Sequence, residues 1–116
     1  MNLLDTDIVI QLLREKRFEP ASISVITLIE MLRGLEAEKR AQAKGLLEES
    51  FNVHGLDNKT VESYCIMYRT LRQQGESVPD ADLLIAATAI SNNTTLRTRD
   101  QHFERLVEFG LKLASA

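Results

Sequence analysis

The chain has 116 residues, of which 44% are hydrophobic and 27% charged, and its 17 acidic and 14 basic residues give a net charge of −3. This composition is typical of one globular domain covering residues 1–116, and it excludes a disordered tail. It also excludes nucleic-acid binding through overall positive charge, so any such role must depend on a local site. No apolar run is long enough to cross a membrane, no signal peptide is recognisable, and the single Cys65 cannot form an internal disulfide. We therefore expect a cytoplasmic protein.

The first half of the chain alternates short strands with helices. The pattern predicts a strand over residues 2–5, a helix over 6–16 and a second strand over 22–24. Ser24 or Thr27 is suited to cap the long helical stretch that follows. Gly34 is expected to dent that helix, and Gly45 to split it from another helix that ends near Ser50. A weak strand is predicted over 51–54.

The second half continues the alternation. A helix over 59–74 should bury an apolar face and end at the C-cap residue Gly75, and a fully buried helix is predicted over 80–91. A strand over 94–97, a helix over 100–107 and a last strand over 111–113 follow. The predicted buried face of the helix over 59–74 comprises Val61, Tyr64, Cys65, Tyr68 and Leu71. Together the elements predict a three-layer α/β/α fold around a mainly parallel sheet of four to five short strands.

Four carboxylates interrupt apolar blocks of the sequence. Asp5 ends the first strand, Glu30 lies among apolar residues of its helix, Asp82 precedes the most apolar run, and Asp100 follows the strand over 94–97. Strand ends and the starts of the following helices share one edge of a parallel sheet, where ligands usually bind. We therefore expect these side chains to converge there.

Each carboxylate also has a structural interpretation. Asp80 and Asp100 are suited to be N-caps, and Asp82 in a first helical turn is favoured by the helix dipole. Glu30 could pair with Arg33, three residues further along its helix. Asp5 has the weakest structural explanation and is the best single functional candidate.

If the four carboxylates converge, they require cations or bound protons. Two carboxylates about 4 Å apart repel by roughly 1 kcal/mol in water and about 4 kcal/mol at an effective dielectric constant near 20. An all-oxygen site suits Mg²⁺ or Mn²⁺ better than zinc. Such ions polarise phosphate esters and activate water, so the sequence indicates a nuclease or a phosphatase.

Other polar residues give weaker signals. The Thr98 hydroxyl could orient a metal-bound water or form a local turn, and Thr6 could act similarly. His54 and His102 lack a second histidine or a cysteine at ligand spacing, and both are expected at the surface or facing a partner. Cys65 is expected in the core.

Two groups of basic residues accompany the predicted site. Arg97 and Arg99 flank it and could contact RNA phosphates. Arg14, Lys16 and Arg17 form a short basic run, which is more typical of a solvated helix end than of a binding groove.

Four sequence blocks resemble the signature blocks of PIN domains, and the VapC-type toxin ribonucleases in particular. The order and approximate spacing agree over essentially the whole chain; the blocks are 4–7 (LDTD), 23–30 (ISVITLIE), 80–89 (DADLLIAATA) and 96–100 (LRTRD). Such proteins usually carry Asn or Ser two residues after the first Asp, where this chain has Asp7.

The resemblance implies an acidic metal-binding quartet of Asp5, Glu30, Asp82 and Asp100, with Asp5 and Asp82 as the principal Mg²⁺ (or Mn²⁺) ligands. It implies Mg²⁺/Mn²⁺-dependent endonucleolytic cleavage of RNA on a PIN-like three-layer fold. It also implies a homodimer and inhibition by a VapB-like antitoxin.

Two other interpretations stay open at this point. Asp5-Thr6-Asp7 also resembles the Asp-x-Asp motif of haloacid-dehalogenase-like phosphatases, in which Asp5 would be the nucleophile. That chemistry needs a lysine at a strand end, which the sequence does not offer convincingly. The second alternative is a non-catalytic, receiver-like α/β interaction module.

Overall fold

In the computed structural model, which describes residues 1–115, the chain folds around one five-stranded sheet. All neighbouring strands are parallel, in the order β3-β2-β1-β4-β5. The strands are β1 (Leu3–Leu4), β2 (Ser22–Ser24), β3 (Asn52–His54), β4 (Thr95–Thr98) and β5 (Lys112–Ser115). The first strand of the chain is therefore the central one.

Helices connect the strands, as parallel pairing requires. They are α1 (Thr6–Arg14), α2 (Val25–Leu32), α3 (Ala37–Ser50), α4 (Asn58–Gln73) and α5 (Asp80–Ser91), and a final 3₁₀ helix covers Gln101–Phe109. Ser24 caps α2 by accepting a hydrogen bond from the backbone N–H of Ile26. Gly75 follows α4 in the left-handed conformation (φ 73°), as a helix-ending glycine should.

Two apolar cores lie on opposite faces of the sheet. Leu3 and Leu4, adjacent in β1, point to different faces, and both are fully buried. Leu4 packs with residues of α1, α2 and α3, and Leu3 packs with residues of α4, α5 and the 3₁₀ helix. This arrangement confirms the predicted three-layer α/β/α fold.

Two details of the helices differ from the prediction. The helical stretch after β2 breaks at residues 33–36, around Gly34, whereas Gly45 lies inside α3. Helix α4 buries part of the predicted face, since Leu71 is buried and Tyr64 packs against the core. It is rotated away from the rest of that face, because Thr60 and Met67 are buried whereas Val61 and Tyr68 are exposed. Cys65 is exposed, so its predicted core position is wrong.

The cap of α5 also differs from the prediction. Pro79 occupies the N-cap position, and Asp80 accepts a 2.6 Å hydrogen bond from the Tyr64 hydroxyl. This bond links α5 to α4. Over residues 1–115, none of the helices has both the length and the hydropathy required to cross a bilayer.

Candidate active site

The carboxyl edge of the sheet brings the predicted acidic residues together. Asp5 follows β1, Asp82 lies in the first turn of α5, and Asp100 caps the 3₁₀ helix. Glu30 reaches the same edge from α2. The cause is topological, since β1 and β4 are neighbours and the helices that follow strands start at this edge.

Asp5 is the most buried of the four carboxylates, with 7% of its surface exposed. Its Oδ1 accepts a hydrogen bond from the Thr6 backbone N–H (2.8 Å), and its Oδ2 accepts one from the Thr98 hydroxyl (2.7 Å). Burial raises the pKa of Asp5, and the charges of Asp7 and Asp100 act in the same direction, while the two hydrogen bonds lower it. The two hydrogen bonds fix the Asp5 carboxylate in position, while burial and the neighbouring negative charges disfavour its ionised form.

Thr98 connects two of the acidic residues. While its hydroxyl donates to Asp5, its oxygen accepts a 3.0 Å hydrogen bond from the backbone N–H of Asp100. The second contact is the local turn predicted from sequence. Because the hydroxyl proton is directed at Asp5, this geometry favours a positioning role for Thr98 over the predicted role of orienting water.

Glu30 is held by threonines and not by Arg33. The Thr6 hydroxyl donates a 2.8 Å hydrogen bond to Glu30 Oε1 and lies 2.9 Å from the Thr27 hydroxyl. Since the Thr6 proton is directed at the carboxylate, Thr27 is the donor to Thr6. The fully buried Thr27 thus anchors a short chain of hydroxyls that orients Glu30. Thr27 was predicted only as an alternative cap to Ser24, and the capping residue is Ser24.

Asp82 shows most clearly that the carboxylates interact. Burial raises its pKa to about 6, and repulsion from Asp5, Asp100 and Glu30 contributes in the same direction. The charge of His102 opposes the shift. The other three predicted carboxylates therefore all act on Asp82 at this edge.

His102 lies closer to the cluster than its sequence context indicates. Its side chain is exposed, as predicted, but Nδ1 is 3.0 Å from Asp100 Oδ1, and its backbone N–H donates a 2.9 Å hydrogen bond to the same oxygen. His54 is half-buried and lines a separate depression beside Asp57. Neither histidine could be placed from spacing alone, because neither belongs to a local ligand pattern.

Comparison with known proteins identifies the family. The PIN domain model matches residues 3–108. The chain belongs to the PIN domain family. It is 38% identical over 115 residues to Ribonuclease VapC1 of Methanocaldococcus jannaschii, covering 96% of this chain and 85% of that protein.

Solved structures extend the comparison. The PIN fold of this chain is similar to a chain of VapBC-1 from nontypeable Haemophilus influenzae, with a TM-score of 0.81, 28% identity, and coverage of 98% of this chain and 96% of that one. It is also similar to DNA-bound VapBC from Salmonella typhimurium, with a TM-score of 0.77, 25% identity, and coverage of 99% and 98%. The fold predicted by the resemblance is thereby confirmed.

An open cleft of about 710 Å³ runs along one side of the acidic cluster of this PIN domain. Its lining includes Asp5, Asp7, Asp100, Arg14 and Arg99. Arg14 is exposed at the end of α1, as predicted, and in addition lines this cleft.

Arg97 does not line this cleft. It forms a 2.7 Å ion pair with Glu19, which directs its guanidinium away from the role predicted for it beside Arg99.

The donor set of the cluster fits a divalent cation chemically. Four carboxylates, three of which repel the charge of Asp82, form a hard, all-oxygen environment of the kind preferred by Mg²⁺ and Mn²⁺. Among residues 1–115, however, no three His, Cys, Asp or Glu side chains are gathered closely enough to enclose an ion as they stand. Of these carboxylates, Asp5 is already held in position by Thr6 and Thr98.

Proposed function

We propose that this PIN domain is a Mg²⁺- or Mn²⁺-dependent endoribonuclease and the toxin of a VapBC-type toxin–antitoxin pair. The observation that carries the proposal is the interacting set of Asp5, Glu30, Asp82 and Asp100 at the carboxyl edge of the sheet. Its placement in a chain that is 38% identical to a protein named Ribonuclease VapC1 supports RNA as the substrate.

The proposal gives each side chain of the site a task. Asp5 and Asp82 are the principal metal ligands, and Glu30 and Asp100 complete the acidic set. Thr98 holds Asp5, and Thr6 holds Glu30, so both carboxylates are oriented before the substrate arrives. When bound, a divalent cation supplies charge stabilisation at the phosphate and activates water for hydrolysis.

The proposal treats residues 1–116 as one nuclease domain, because strands from residue 3 to residue 115 belong to a single sheet. Its proposed partners are RNA, a VapB-like antitoxin and a second copy of the chain. The antitoxin is supported by the solved neighbours, which are VapBC assemblies by name.

The phosphatase alternative receives no support from the cleft. That chemistry requires a lysine near the nucleophilic aspartate, and in the part of the chain that the structure describes no lysine lines the cleft beside Asp5. The receiver-like alternative is disfavoured by membership in the PIN family.

RNA cleavage by matched variants tests the proposal. Wild-type protein should cleave a labelled single-stranded RNA in the presence of Mg²⁺ or Mn²⁺, and this cleavage should stop when EDTA is added. Asp5→Asn and Asp82→Asn should each abolish cleavage, because each removes a charged ligand while preserving side-chain shape. Asp80→Asn is the control, since Asp80 is bound to Tyr64 and an amide oxygen can keep that hydrogen bond.

The outcomes separate the alternatives. Loss of cleavage in both site variants, with retention in the control, supports the proposal. Full cleavage by Asp5→Asn and Asp82→Asn would reject it. A phosphorylated Asp5 trapped after incubation with a phosphate monoester would favour the phosphatase.

A further inference from the structure

Two arginines lie in the same cleft as the acidic cluster. Arg14 is the last residue of α1, Arg99 directly follows β4, and both line the cleft that contains Asp5 and Asp100. Positive charge is unexpected here, because the whole chain has a net charge of −3. The two side chains come from separate elements, so the fold and not a local basic run places them together.

The pairing of these arginines differs from that of their sequence neighbours. Arg97 is paired with Glu19 at 2.7 Å, and Arg17 is paired with Glu15 at 2.8 Å. Within residues 1–115, neither Arg14 nor Arg99 forms an ion pair with a carboxylate. Both are exposed, so their guanidinium groups are free to bind a ligand that enters the cleft.

Arg99 also lies near the end of α1. Hydrogen bonds from Gln11 and Arg17 lower the pKa of Glu15, and the charge of Arg99 acts in the same direction. Glu15 directly follows Arg14 and lines the same cleft. Arg99 therefore acts on the residue that follows Arg14, and both arginines line the cleft that contains Asp5.

We infer that Arg14 and Arg99 form a phosphate-binding subsite that holds the RNA backbone next to the scissile bond. The inference rests on the proposed ribonuclease function and adds to it the side chains that position the substrate. A guanidinium group presents paired donors that match the oxygens of a phosphate, and such contacts fix the register of a nucleic acid. They also supply positive charge for a phosphate in a cleft that is also lined by acidic side chains.

Binding measurements with charge-neutral variants test this inference. A fluorescein-labelled, unstructured single-stranded RNA is titrated with wild-type protein, Arg14→Gln, Arg99→Gln and the double variant, in EDTA so that cleavage does not occur. Fluorescence anisotropy is followed between about 50 and 200 mM KCl. Arg69→Gln is the matched control, because Arg69 is an exposed arginine on α4, outside the cleft.

Each single variant should weaken RNA binding roughly 3- to 10-fold and lower the slope of log K against log[salt] by about 0.7, and the double variant should lower that slope by about 1.4. In Mn²⁺, KM for RNA cleavage should rise more than kcat falls. The Arg69→Gln control should match wild type. Thermal unfolding checks that every variant is folded.

Failure of this inference can be distinguished from failure of the proposed function. If the arginines only offset the acidic charges of the site, the double variant melts at a lower temperature but keeps the wild-type affinity and salt slope, and the inference is overturned. If wild-type protein cleaves RNA while the double variant binds normally, the inference alone fails. If wild-type protein neither binds nor cleaves RNA, the proposed function fails and the inference fails with it.

Discussion

The Thr98 hydroxyl donates a 2.7 Å hydrogen bond to Asp5 Oδ2 and thereby joins residues that are 93 positions apart in the chain. Both side chains are buried, and each is 7% exposed. The bond connects the end of β4 to the end of β1, so it couples the position of the main acidic residue to the integrity of the sheet.

Removing the Thr98 hydroxyl should therefore affect stability and activity together. Thr98→Val leaves one Asp5 oxygen and the Asp100 backbone N–H without their partner, which should cost about 1–3 kcal/mol in the free energy of unfolding. RNA cleavage should fall about 10–100-fold, as is typical when a group that orients a metal ligand is lost. Urea unfolding and cleavage rates measure the two effects. Thr98→Ser keeps the hydroxyl and should stay near wild type; equal loss in both variants would contradict this role.

Asp82 should make the metal-free protein less stable as the pH rises. Its pKa is about 6 in the folded state against an ordinary value of 3.8, so the folded state binds more protons between these values. The free energy of unfolding therefore falls as the pH rises from about 4 to 6, and it stays at the lower value above pH 6.

Asp82→Asn should be more stable than wild type at pH 7.5 by about 1–2 kcal/mol, allowing for solvent screening. Urea unfolding in EDTA measures this difference, which should vanish near pH 4; an equal difference at both pH values would exclude Asp82 as its source.

Divalent metal should stabilise the protein more at high pH than at low pH. Mg²⁺ or Mn²⁺ at millimolar concentration should raise the melting temperature by binding the folded state. Protons compete for Asp82 below about pH 6, so the rise should be large at pH 8 and small at pH 5. Differential scanning fluorimetry measures it. Asp82→Asn should lose most of the rise at pH 8, and a metal effect that is independent of pH would argue against binding at this cluster.

Cys65 should react readily in the native protein. Its side chain is exposed on α4 and lines a shallow depression beside Tyr68. A thiol reagent such as DTNB should therefore modify native protein within about tenfold of the rate in denaturant. A native rate that is slower by several orders of magnitude would show that this face of α4 is covered in solution.

The rotation of α4 shows where periodicity is insufficient. Apolar residues occur on two overlapping stripes of this helix, one through Val61 and Cys65 and the other through Tyr64, Met67 and Leu71, and the predicted face combined residues of both. A period of 3.6 residues identifies a helix in either case. Only packing against α5 and the sheet selects the stripe with Met67, which is fully buried.

Helix α3 shows a second limit of prediction from the apolar pattern. Its residues are mostly exposed, and Leu47 is its one fully buried apolar side chain among the described residues. With so weak an apolar pattern, Gly45 looked like a boundary. A glycine inside a helix costs only roughly 0.5–1 kcal/mol relative to alanine, which the surrounding helix tolerates.

The acidic residues of the site were predictable because charge inside apolar blocks is conspicuous and parallel strands share an edge. The hydroxyl groups that hold these carboxylates were harder to predict from the sequence. Thr6 and Thr27 fit ordinary helix positions, and their link to Glu30 depends on how α1 packs against α2. Similarly, the difference between Arg97 and Arg99 depends on the position of Glu19, which is 78 residues from Arg97 in the chain.

The central position of β1 determines when the cleft can form. This strand precedes the other four along the chain, but its two neighbours in the sheet come from residues 22–24 and 95–98. Contacts between such distant parts of a chain close late in folding. During translation Asp5 leaves the ribosome 93 residues before Thr98, so the acidic site is completed only after the strand that carries Thr98 has been made. For a ribonuclease, this order of assembly delays activity until β4 has been synthesised and has paired with β1.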